Sequence, residues 1–322
     1  MTMKELANLA NVSLSTVSKA FCDAKDVSDE TKNHIFRIAK QQGCFGKYYK
    51  GKYAKKIIAF ICPEVVSAYY SAYVECLQDI IEKNNGIVLI SVDHFNTHKQ
   101  EELIEYYAAF LKVDGIIVLG LRQPLKKSFN LPLVAIGNTF DPKIDSVNCD
   151  FEPAVFQAVD HLKQLGHKNI AFIGEPLTTL KKSLFQKAMG NIADDADNII
   201  VVNSRFEKAG KDGAKLLLQK ETPYTAVICA YDPIAIGAIK QLQESGYQVP
   251  RDFSVIGMDN VSWAEYTETS LTSIDTHTEE ICHAAWELLH KKQKNIYYKA
   301  TQKISLTGTL ICRESTGPAK KI

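Results

Sequence analysis

The chain has 322 residues and a formal net charge of +1, and 46% of its residues are hydrophobic. This length exceeds one ordinary domain and suits a small domain joined to a two-lobed one. The longest apolar runs are too short to span a membrane, and no N-terminal run resembles a signal peptide, so we expect a cytoplasmic protein without a membrane partner. The eight cysteines are scattered without C-x-x-C spacing, which indicates reduced core residues rather than disulfides or a zinc site.

The near-neutral total hides two oppositely charged parts. Residues 1–56 hold 11 Lys and Arg against 5 Asp and Glu, whereas residues 57–322 hold 27 against 32. A basic segment is either a solvated surface or a surface that meets phosphate. The same segment carries a helix motif, described next, which favours the second interpretation, a surface that meets phosphate.

The first helix signal begins at Thr2, which forms a capping box with Glu5. The helix that follows would bury a stripe made of Leu6, Leu9 and Ala10. Residues after this stripe have the composition of a tight turn.

A second helix is predicted after that turn. Asn11 tolerates the left-handed conformation that the turn requires, and Ser13 caps the helix. Val17, Ala20 and Phe21 recur at helical spacing and would face inward. The other positions of this helix would point away from the core and carry mostly short polar side chains. They are Leu14, Ser15, Ser18 and Lys19.

A third helix is predicted from Ser28, with Ile35, Ile38 and Ala39 inward and Gly43 as its stop. Three short helices in 43 residues make a helix-turn-helix headpiece, although a capped helix pair alone is equally typical of an ordinary helical hairpin. The string V-S-x-S-T-V-S-K distinguishes the two.

The stretch M-K-E-L-A-x-L-A-x-V-S-x-S-T-V-S-K, followed by V-S-D-E-T-K, resembles the N-terminal signature of the LacI/GalR family of bacterial transcription regulators. The resemblance continues through the whole chain. It implies a sequence-specific DNA-binding regulator, most often a repressor, that acts as a homodimer on near-palindromic double-stranded operator DNA. It also implies control by a small-molecule effector, with a sugar or sugar derivative favoured, and neither a cofactor nor a metal ion.

The resemblance puts Leu14, Ser15 and Lys19 on the base-reading face of the second helix, where Lys can contact guanine and Leu a thymine methyl group. Other polar and basic residues would position the DNA backbone. The predicted DNA-binding residues are Thr2, Ser13, Leu14, Ser15, Thr16, Ser18, Lys19, Ser28, Lys47, Lys50 and Lys52.

The predicted headpiece spans residues 1–46, and a basic linker spans 47–56. Family members commonly have a Pro-Asn pair and a leucine wedge here, in a hinge helix that kinks the DNA. This chain has neither; it has five lysines and three tyrosines instead. The linker is therefore either a basic, aromatic arm that contacts DNA or a flexible tether, and the two interpretations stay open.

From residue 57 onward, short apolar runs alternate with amphipathic segments, which predicts an α/β fold with doubly wound parallel sheets. The predicted strands are 57–62, 87–92, 115–120, 133–137, 170–174, 199–202, 226–230 and 255–259. The predicted helices lie around 71–84, 98–111, 153–165, 181–191, 207–219, 232–245 and 278–292.

The family resemblance implies a two-lobed periplasmic-binding-protein type I core with three crossovers, near 148–152, 273–277 and 307–312. Lobe 1 would hold about 57–148 and 276–307, and lobe 2 about 149–275 and 308–322. The effector would bind in the cleft between them and draw the lobes together.

Cleft residues are inferred from strand ends and matching motifs. Asp232 stands where the family's A-x-D-x-x-A-x-G motif has a ligand-binding carboxylate, although it also suits a helix cap. Trp263 could stack on a sugar ring or simply pack. Lys181 and Tyr231 replace the family's usual Arg and Asn, so the effector is expected to differ from common ones. The predicted effector-binding residues are Tyr69, Tyr70, Lys181, Tyr231, Asp232, Asp259, Asn260, Trp263 and Asp275.

Two other classes of protein are less consistent with the sequence. An enzyme is disfavoured because no Walker A loop, dinucleotide fingerprint, G-x-S-x-G elbow or H-E-x-x-H motif is present, and the histidines are dispersed. A secreted solute-binding protein would share the core fold but would need an export signal and would lack residues 2–43.

Overall fold

The computed structural model divides the chain into a small unit that holds Met1–Lys56 and a large unit that begins at Ile57. The residues described are 1–22, 24–49, 55–190, 197–294 and 300–320. None of the helices in these ranges is both long enough and apolar enough to cross a membrane.

The small unit is a headpiece of short helices, as the capping signals predict. Its helices are α1 (Met3–Ala10), α2 (Leu14–Phe21), α3 (Asp29–Gln41) and α4 (Phe45–Tyr48). The capping box is confirmed, because Glu5 Oε2 accepts from the Thr2 amide at 2.7 Å and Thr2 Oγ1 accepts from the Glu5 amide at 3.2 Å. Ser13 caps α2 and Ser28 caps α3 by accepting a hydrogen bond from the amide three residues later, and Asn11 takes the left-handed conformation with φ of 53°.

The buried face of α1 differs from the predicted stripe. Leu6, Ala7 and Ala10 are buried, whereas Leu9 is 54% exposed. Successive residues are rotated by about 100° around the axis of an α-helix. The buried face is therefore centred near Ala10, between Leu6 and Ala7, and Leu9 lies at its edge. The prediction for Leu9 was wrong because three apolar residues within about one turn do not determine which face of so short a helix is buried.

Aromatic side chains extend the headpiece core into the predicted linker. Tyr49 packs edge-on against Phe36 with ring centroids 5.2 Å apart, and it stacks on Phe45 at 4.7 Å. The Tyr48 hydroxyl donates to the Met1 carbonyl at 2.6 Å. Tyr48 and Tyr49 therefore pack on the headpiece and Lys47 is exposed, whereas Lys50 and Lys52 lie outside the described residues.

The large unit contains two six-stranded sheets. Its strands are β1 (Lys56–Cys62), β2 (Gly86–Val92), β3 (Gly115–Leu119), β4 (Leu133–Ile136), β5 (Asp145–Asp150), β6 (Ile170–Gly174), β7 (Ile199–Val201), β8 (Ala226–Cys229), β9 (Ser254–Met258), β10 (Thr272–Asp275), β11 (Lys303–Thr307) and β12 (Thr309–Ile311). The first sheet has the order β11-β5-β4-β3-β1-β2, and the second β12-β10-β9-β8-β6-β7. The recorded strand pairs are parallel except β10 with β12, which is antiparallel.

Helices cover both sheets, as expected for parallel strands that are buried on both faces. They are α5 (Ala68–Lys83), α6 (Thr97–Glu105), α7 (Glu152–Gln164), α8 (Thr179–Met189), α9 (Phe206–Leu218), α10 (Asp232–Glu244) and α11 (Thr278–Lys294), and a π-helical turn (Tyr106–Leu111) continues α6. We call the first sheet with α5, α6 and α11 the first lobe, and the second sheet with α7 to α10 the second lobe. The predicted α/β fold with doubly wound sheets is confirmed.

The eight predicted strands are all present, and four further strands occur in the segments expected to be crossovers. The chain leaves the first sheet after β5, returns to it after β10, and crosses a third time between β11 and β12. Gly308 lies at this third crossing. Its amide donates to the Asp150 carbonyl at 3.1 Å, and a Cβ atom there would lie 3.2 Å from the Asp275 carbonyl. The three crossings are therefore in contact at one place.

The apolar face of α5 packs inside its own lobe. Tyr73, Leu77, Ile80 and Ile81 are buried in the core of the first lobe. Cys76 is half-buried at the edge of the same cluster. The apolar face of α5 thus covers its own sheet and α11.

Candidate functional site

A cavity of about 400 Å³ lies between the two lobes at the carboxyl ends of their strands. We call it the central cavity. The first lobe lines it with Glu64, Ser67, Tyr69, Tyr70, Phe95 and Arg122. The second lobe and the adjoining crossover line it with Phe151, Glu175, Leu177, Thr178, Leu180, Lys181, Arg205, Phe206, Tyr231, Pro233, Asp259 and Val261. Its volume suits a small organic molecule.

Arg205 joins the two lobes across this cavity. Its Nη1 and Nη2 donate to the two carboxylate oxygens of Glu64 at 2.9 and 3.0 Å, a bidentate pair. Its Nε lies 3.3 Å from Glu175 Oε2, and the Tyr231 hydroxyl donates to Glu175 Oε1 at 3.0 Å. The hydrogen bonds to Glu64 raise the pKa of Arg205 further above its already high value. The guanidinium thus lies between two carboxylates, those of Glu64 and Glu175.

The other two cations of the central cavity are also paired. Lys181 Nζ lies 2.8 Å from Asp259 Oδ1 and 5.1 Å from the centre of the Phe151 ring. Arg122 forms an ion pair with Asp93, which is fully buried. Each positive charge in the lining therefore has a carboxylate partner.

Aromatic rings make up much of the remaining lining. Tyr69 and Tyr70 stand edge-on with centroids 5.1 Å apart, and Tyr70 packs edge-on against Phe95 at 6.0 Å. Arg205 lies over the Phe206 ring at 4.5 Å. Burial raises the pKa of Tyr69, Tyr70 and Tyr231, so their hydroxyl groups stay protonated and remain hydrogen-bond donors.

Asp232 is fully buried and does not line the central cavity. Its carboxylate accepts from Ser273 Oγ at 2.5 Å and from the Val261 amide at 2.8 Å. It therefore fastens the loop that follows β9, whose residues Asp259 and Val261 do line the cavity. Burial, with a smaller contribution from Asp259, raises the pKa of Asp232 to about 8.

The predicted effector residues fall into three locations. Tyr69, Tyr70, Lys181, Tyr231 and Asp259 line the central cavity, and Asp232 lies behind it. A second cavity of about 730 Å³, which we call the rim cavity, is lined by α5, the start of α11 and the loop after β9. The rim cavity, rather than the central one, holds Asn260, Trp263 and Asp275.

Several central-cavity residues escaped sequence reasoning. Glu64, Phe95, Arg122, Glu175 and Arg205 lie in loops without a recognisable motif. Glu64, Arg122 and Glu175 share one signal, because each follows a buried apolar strand within a few residues. Arg205 lies between β7 and α9, and the fold brings it against Glu64 and Glu175 at the cavity.

The headpiece presents the exposed side of α2 as a separate candidate DNA-binding face. Leu14 is 50% exposed, Ser15, Ser18 and Lys19 are exposed, and Thr16 is half-buried. Val17, Ala20 and Phe21 are buried on the opposite side. Thr2, Ser13, Ser28 and Lys47 are also exposed in this unit.

Lys19 is held by an acidic neighbour that the sequence did not suggest. Its Nζ forms an ion pair with Asp26, in the turn before α3. The hydrogen bond from Lys19 lowers the pKa of Asp26, which stays ionised. A Lys19 contact to a base would require this pair to open.

Comparison with known proteins decides the family. Residues 2–43 match the model of bacterial regulatory proteins of the lacI family, and residues 159–316 match that of the periplasmic binding protein-like domain. This chain belongs to the LacI family. As a LacI-family member it is a DNA-binding transcription regulator and not an enzyme. Its two-sheet core is the effector-binding type of that family.

The similarity extends along nearly the whole LacI-family chain. The transcriptional repressor CytR of Escherichia coli K12 is 29% identical, with 89% of this chain and 88% of the relative covered. The transcriptional regulator CelR, solved as a cellobiose complex, has a TM-score of 0.70 at 23% identity, with 98% of this chain and 99% of that chain covered. A LacI-family regulator from Enterococcus faecium with bound ribose has a TM-score of 0.69 at 23% identity, with 82% and 100% covered.

Proposed function

We propose that this chain is a cytoplasmic, homodimeric repressor whose operator affinity is controlled by an uncharged sugar or sugar derivative bound in the central cavity. The observation that carries the proposal is the charge pairing in an aromatic lining. Arg122, Lys181 and Arg205 each have a carboxylate partner, so a phosphate or carboxylate ligand would have to compete with a negative charge already in place.

A neutral polyhydroxyl ligand fits this lining without such a cost. Its hydroxyl groups can bond to the free lone pairs of Glu64, Glu175 and Asp259 and to the tyrosine hydroxyls, while its C–H faces lie on the rings. Two LacI-family regulators of the same fold bind sugars, cellobiose and ribose. These two complexes support a carbohydrate as the effector of this chain but do not identify the sugar.

The DNA half of the proposal rests on the exposed face of α2 and the basic headpiece. Leu14, Ser15 and Lys19 would read base edges in the major groove, and the cap residues Thr2, Ser13 and Ser28 would meet phosphates. One headpiece of this size gives a small interface, so two headpieces on a near-palindromic operator are proposed. The proposal keeps the predicted lobe boundaries. Lobe 1 holds about 57–148 and 276–307, and lobe 2 holds about 149–275 and 308–322.

Thermal-shift screening of the full chain tests the effector. Ribose, cellobiose and other free sugars are compared with sugar phosphates at matched concentrations. We expect a neutral sugar to raise the melting temperature in proportion to the logarithm of its concentration. A shift produced by a sugar phosphate alone would refute the uncharged class.

Two variants connect such a shift to the central cavity. Tyr231→Phe removes the hydroxyl that bonds Glu175 and should reduce the shift, whereas Tyr247→Phe, beside Phe253, should leave it unchanged. The operator is recovered by selection from random duplexes, and binding is followed by fluorescence anisotropy with and without the sugar. Unaltered binding with the sugar would refute effector control.

A further inference from the structure

The lining of the central cavity reverses the usual distribution of polar and apolar side chains. Among the described residues that line it, only Leu177 and Leu180 are more than half exposed, at 56% and 51%. Carboxylates of the same lining lie deeper, since Glu175 is 3% exposed and the Asp259 side chain 6%. Charged groups normally face water and large apolar ones are covered. The cavity therefore has an apolar entrance and a polar interior.

Local structure fixes the two leucines at this entrance. Leu177 lies in a 3₁₀ turn (Pro176–Thr178) that follows β6, and Thr178 Oγ1 closes this turn by donating to the Glu175 carbonyl at 2.7 Å. Leu180 lies in the first turn of α8. The next residue, Lys181, is rotated by about 100° around the helix axis and reaches Asp259 at 2.8 Å. Neighbouring positions of one helical turn thus serve the entrance and the interior.

The first lobe adds two valines to the entrance. Val65 and Val66 are exposed, and they directly follow Glu64, which lines the cavity. Their loop lies beside the 3₁₀ turn, because Arg205 is 2.9 Å from Glu64 and 3.3 Å from Glu175, the residue before that turn. We call these two valines and the two leucines the apolar lip. Exposed apolar side chains that cluster in this way are typical of a ligand-binding surface.

We propose that the effector is a glycoside, with its sugar ring in the central cavity and an apolar aglycone on the apolar lip. This inference rests on the neutral sugar effector proposed above and specifies what the sugar carries. The sugar hydroxyl groups bond to the buried carboxylates and the tyrosine hydroxyls. The aglycone covers the lip and removes its apolar surface from water. A free sugar leaves the lip exposed and gains no binding energy from it.

The size of the gain follows from the apolar area that the aglycone covers. Burial of about two methylene groups strengthens binding roughly ten-fold. A phenyl group offers more apolar surface than this, whereas a methyl group offers less. The two aglycones on one sugar should therefore differ clearly in affinity.

Isothermal calorimetry of the full chain with matched glycosides tests the proposal. Glucose, galactose and ribose are each measured as the free sugar, the methyl β-glycoside and the phenyl β-glycoside. The two glycosides of a sugar share its ring and anomeric linkage and differ only in the aglycone. For a sugar that binds, we expect the phenyl glycoside to have a Kd at least about ten-fold below that of the methyl glycoside. Equal Kd values would overturn the proposal.

Leucine variants connect the gain to the apolar lip. In the double variant Leu177→Ser and Leu180→Ser, the ratio of the methyl to the phenyl Kd should fall towards one. The matched control is Leu216→Ser, an exposed leucine of α9 in the same lobe that does not line the cavity, and it should keep the ratio of the parent protein. All three leucines are exposed, so these changes leave the hydrophobic cores intact.

The remaining outcomes separate this inference from the proposed effector class. If the double variant weakens both glycosides by the same factor, the lip supports the sugar or the lobes rather than an aglycone, and the inference is wrong. If a free sugar binds but no glycoside does, the inference fails while the sugar effector stands. If neither free sugars nor glycosides bind, both proposals are refuted.

Discussion

Arg205 of the second lobe donates two hydrogen bonds, at 2.9 and 3.0 Å, to Glu64 of the first lobe. The Glu64 side chain is only 12% exposed, so this pair is shielded from solvent more than a surface ion pair is. It links the two lobes across the central cavity. The free energy of this arrangement of the two lobes therefore depends partly on one guanidinium.

Glu64→Gln should weaken this link, because a neutral amide replaces the carboxylate while Arg205 keeps Glu175. If the effector binds the closed lobes, a smaller closed fraction raises its apparent Kd. We expect a loss of roughly three- to ten-fold, equivalent to about 1 kcal/mol, in isothermal calorimetry. Small-angle scattering should also show a larger radius of gyration without effector.

The matched control for that change is Glu244→Gln. Glu244 pairs with Lys211 at 3.0 Å within the second lobe and so does not join the lobes. Its substitution should alter neither effector affinity nor the radius of gyration. Identical behaviour of the two variants would mean that the Glu64 pair does not affect closure.

Lys19→Ala should reduce specific operator binding by roughly ten-fold or more while leaving non-specific binding nearly unchanged, because the proposed contact is to a base edge. Fluorescence anisotropy with the selected operator and with a scrambled duplex at one salt concentration measures both. Equal losses on the two duplexes would make Lys19 a phosphate contact instead.

Asp26→Asn should have the opposite effect. It releases Lys19 from its ion pair and removes a negative charge near the DNA-binding face. We expect tighter operator binding than that of the parent protein at the same salt concentration. Asp29→Asn, a carboxylate that pairs with Lys32 of α3 rather than with α2, is the control. Weaker operator binding by the Asp26 variant would contradict this account.

The buried Asp232 predicts a pH dependence of stability. Its pKa is about 8 in the folded chain and near 3.8 when unfolded, so the folded state binds the extra proton. The stability that it contributes is complete below the unfolded pKa and is lost as the pH rises through about 8. We expect the melting temperature of the parent protein to fall more between about pH 5 and pH 8 than that of Asp232→Asn, whose amide does not titrate. Parallel curves for the two proteins would show that Asp232 does not titrate in this range.

Local signals in the sequence account for much of the fold. Helix caps such as Thr2, Ser13 and Ser28 act within four residues, and the eight predicted strands are continuous apolar runs. β5 was missed because Asp145, Ser146 and similar polar residues interrupt its pattern. β11 and β12 were missed because they lie at sheet edges, where their side chains are exposed or half-buried and form no continuous apolar run.

The candidate site was predicted less completely than the fold. Residues at strand ends, such as Asp259 and Tyr231, could be placed because the carboxyl ends of parallel strands meet at one edge. Glu64 carried the same strand-end signal and was overlooked, and its partner Arg205, 141 positions away, belongs to no periodic pattern. For Asp232, a motif marked the correct neighbourhood, whereas burial decided which atoms its carboxylate contacts.

Residues 303–311 supply the outer strand of both sheets, β11 to the first and β12 to the second. A chain that is still growing on the ribosome has neither sheet complete until this stretch emerges. The two lobes therefore finish folding together, late in synthesis, and a truncation before residue 303 removes an edge strand from each of them.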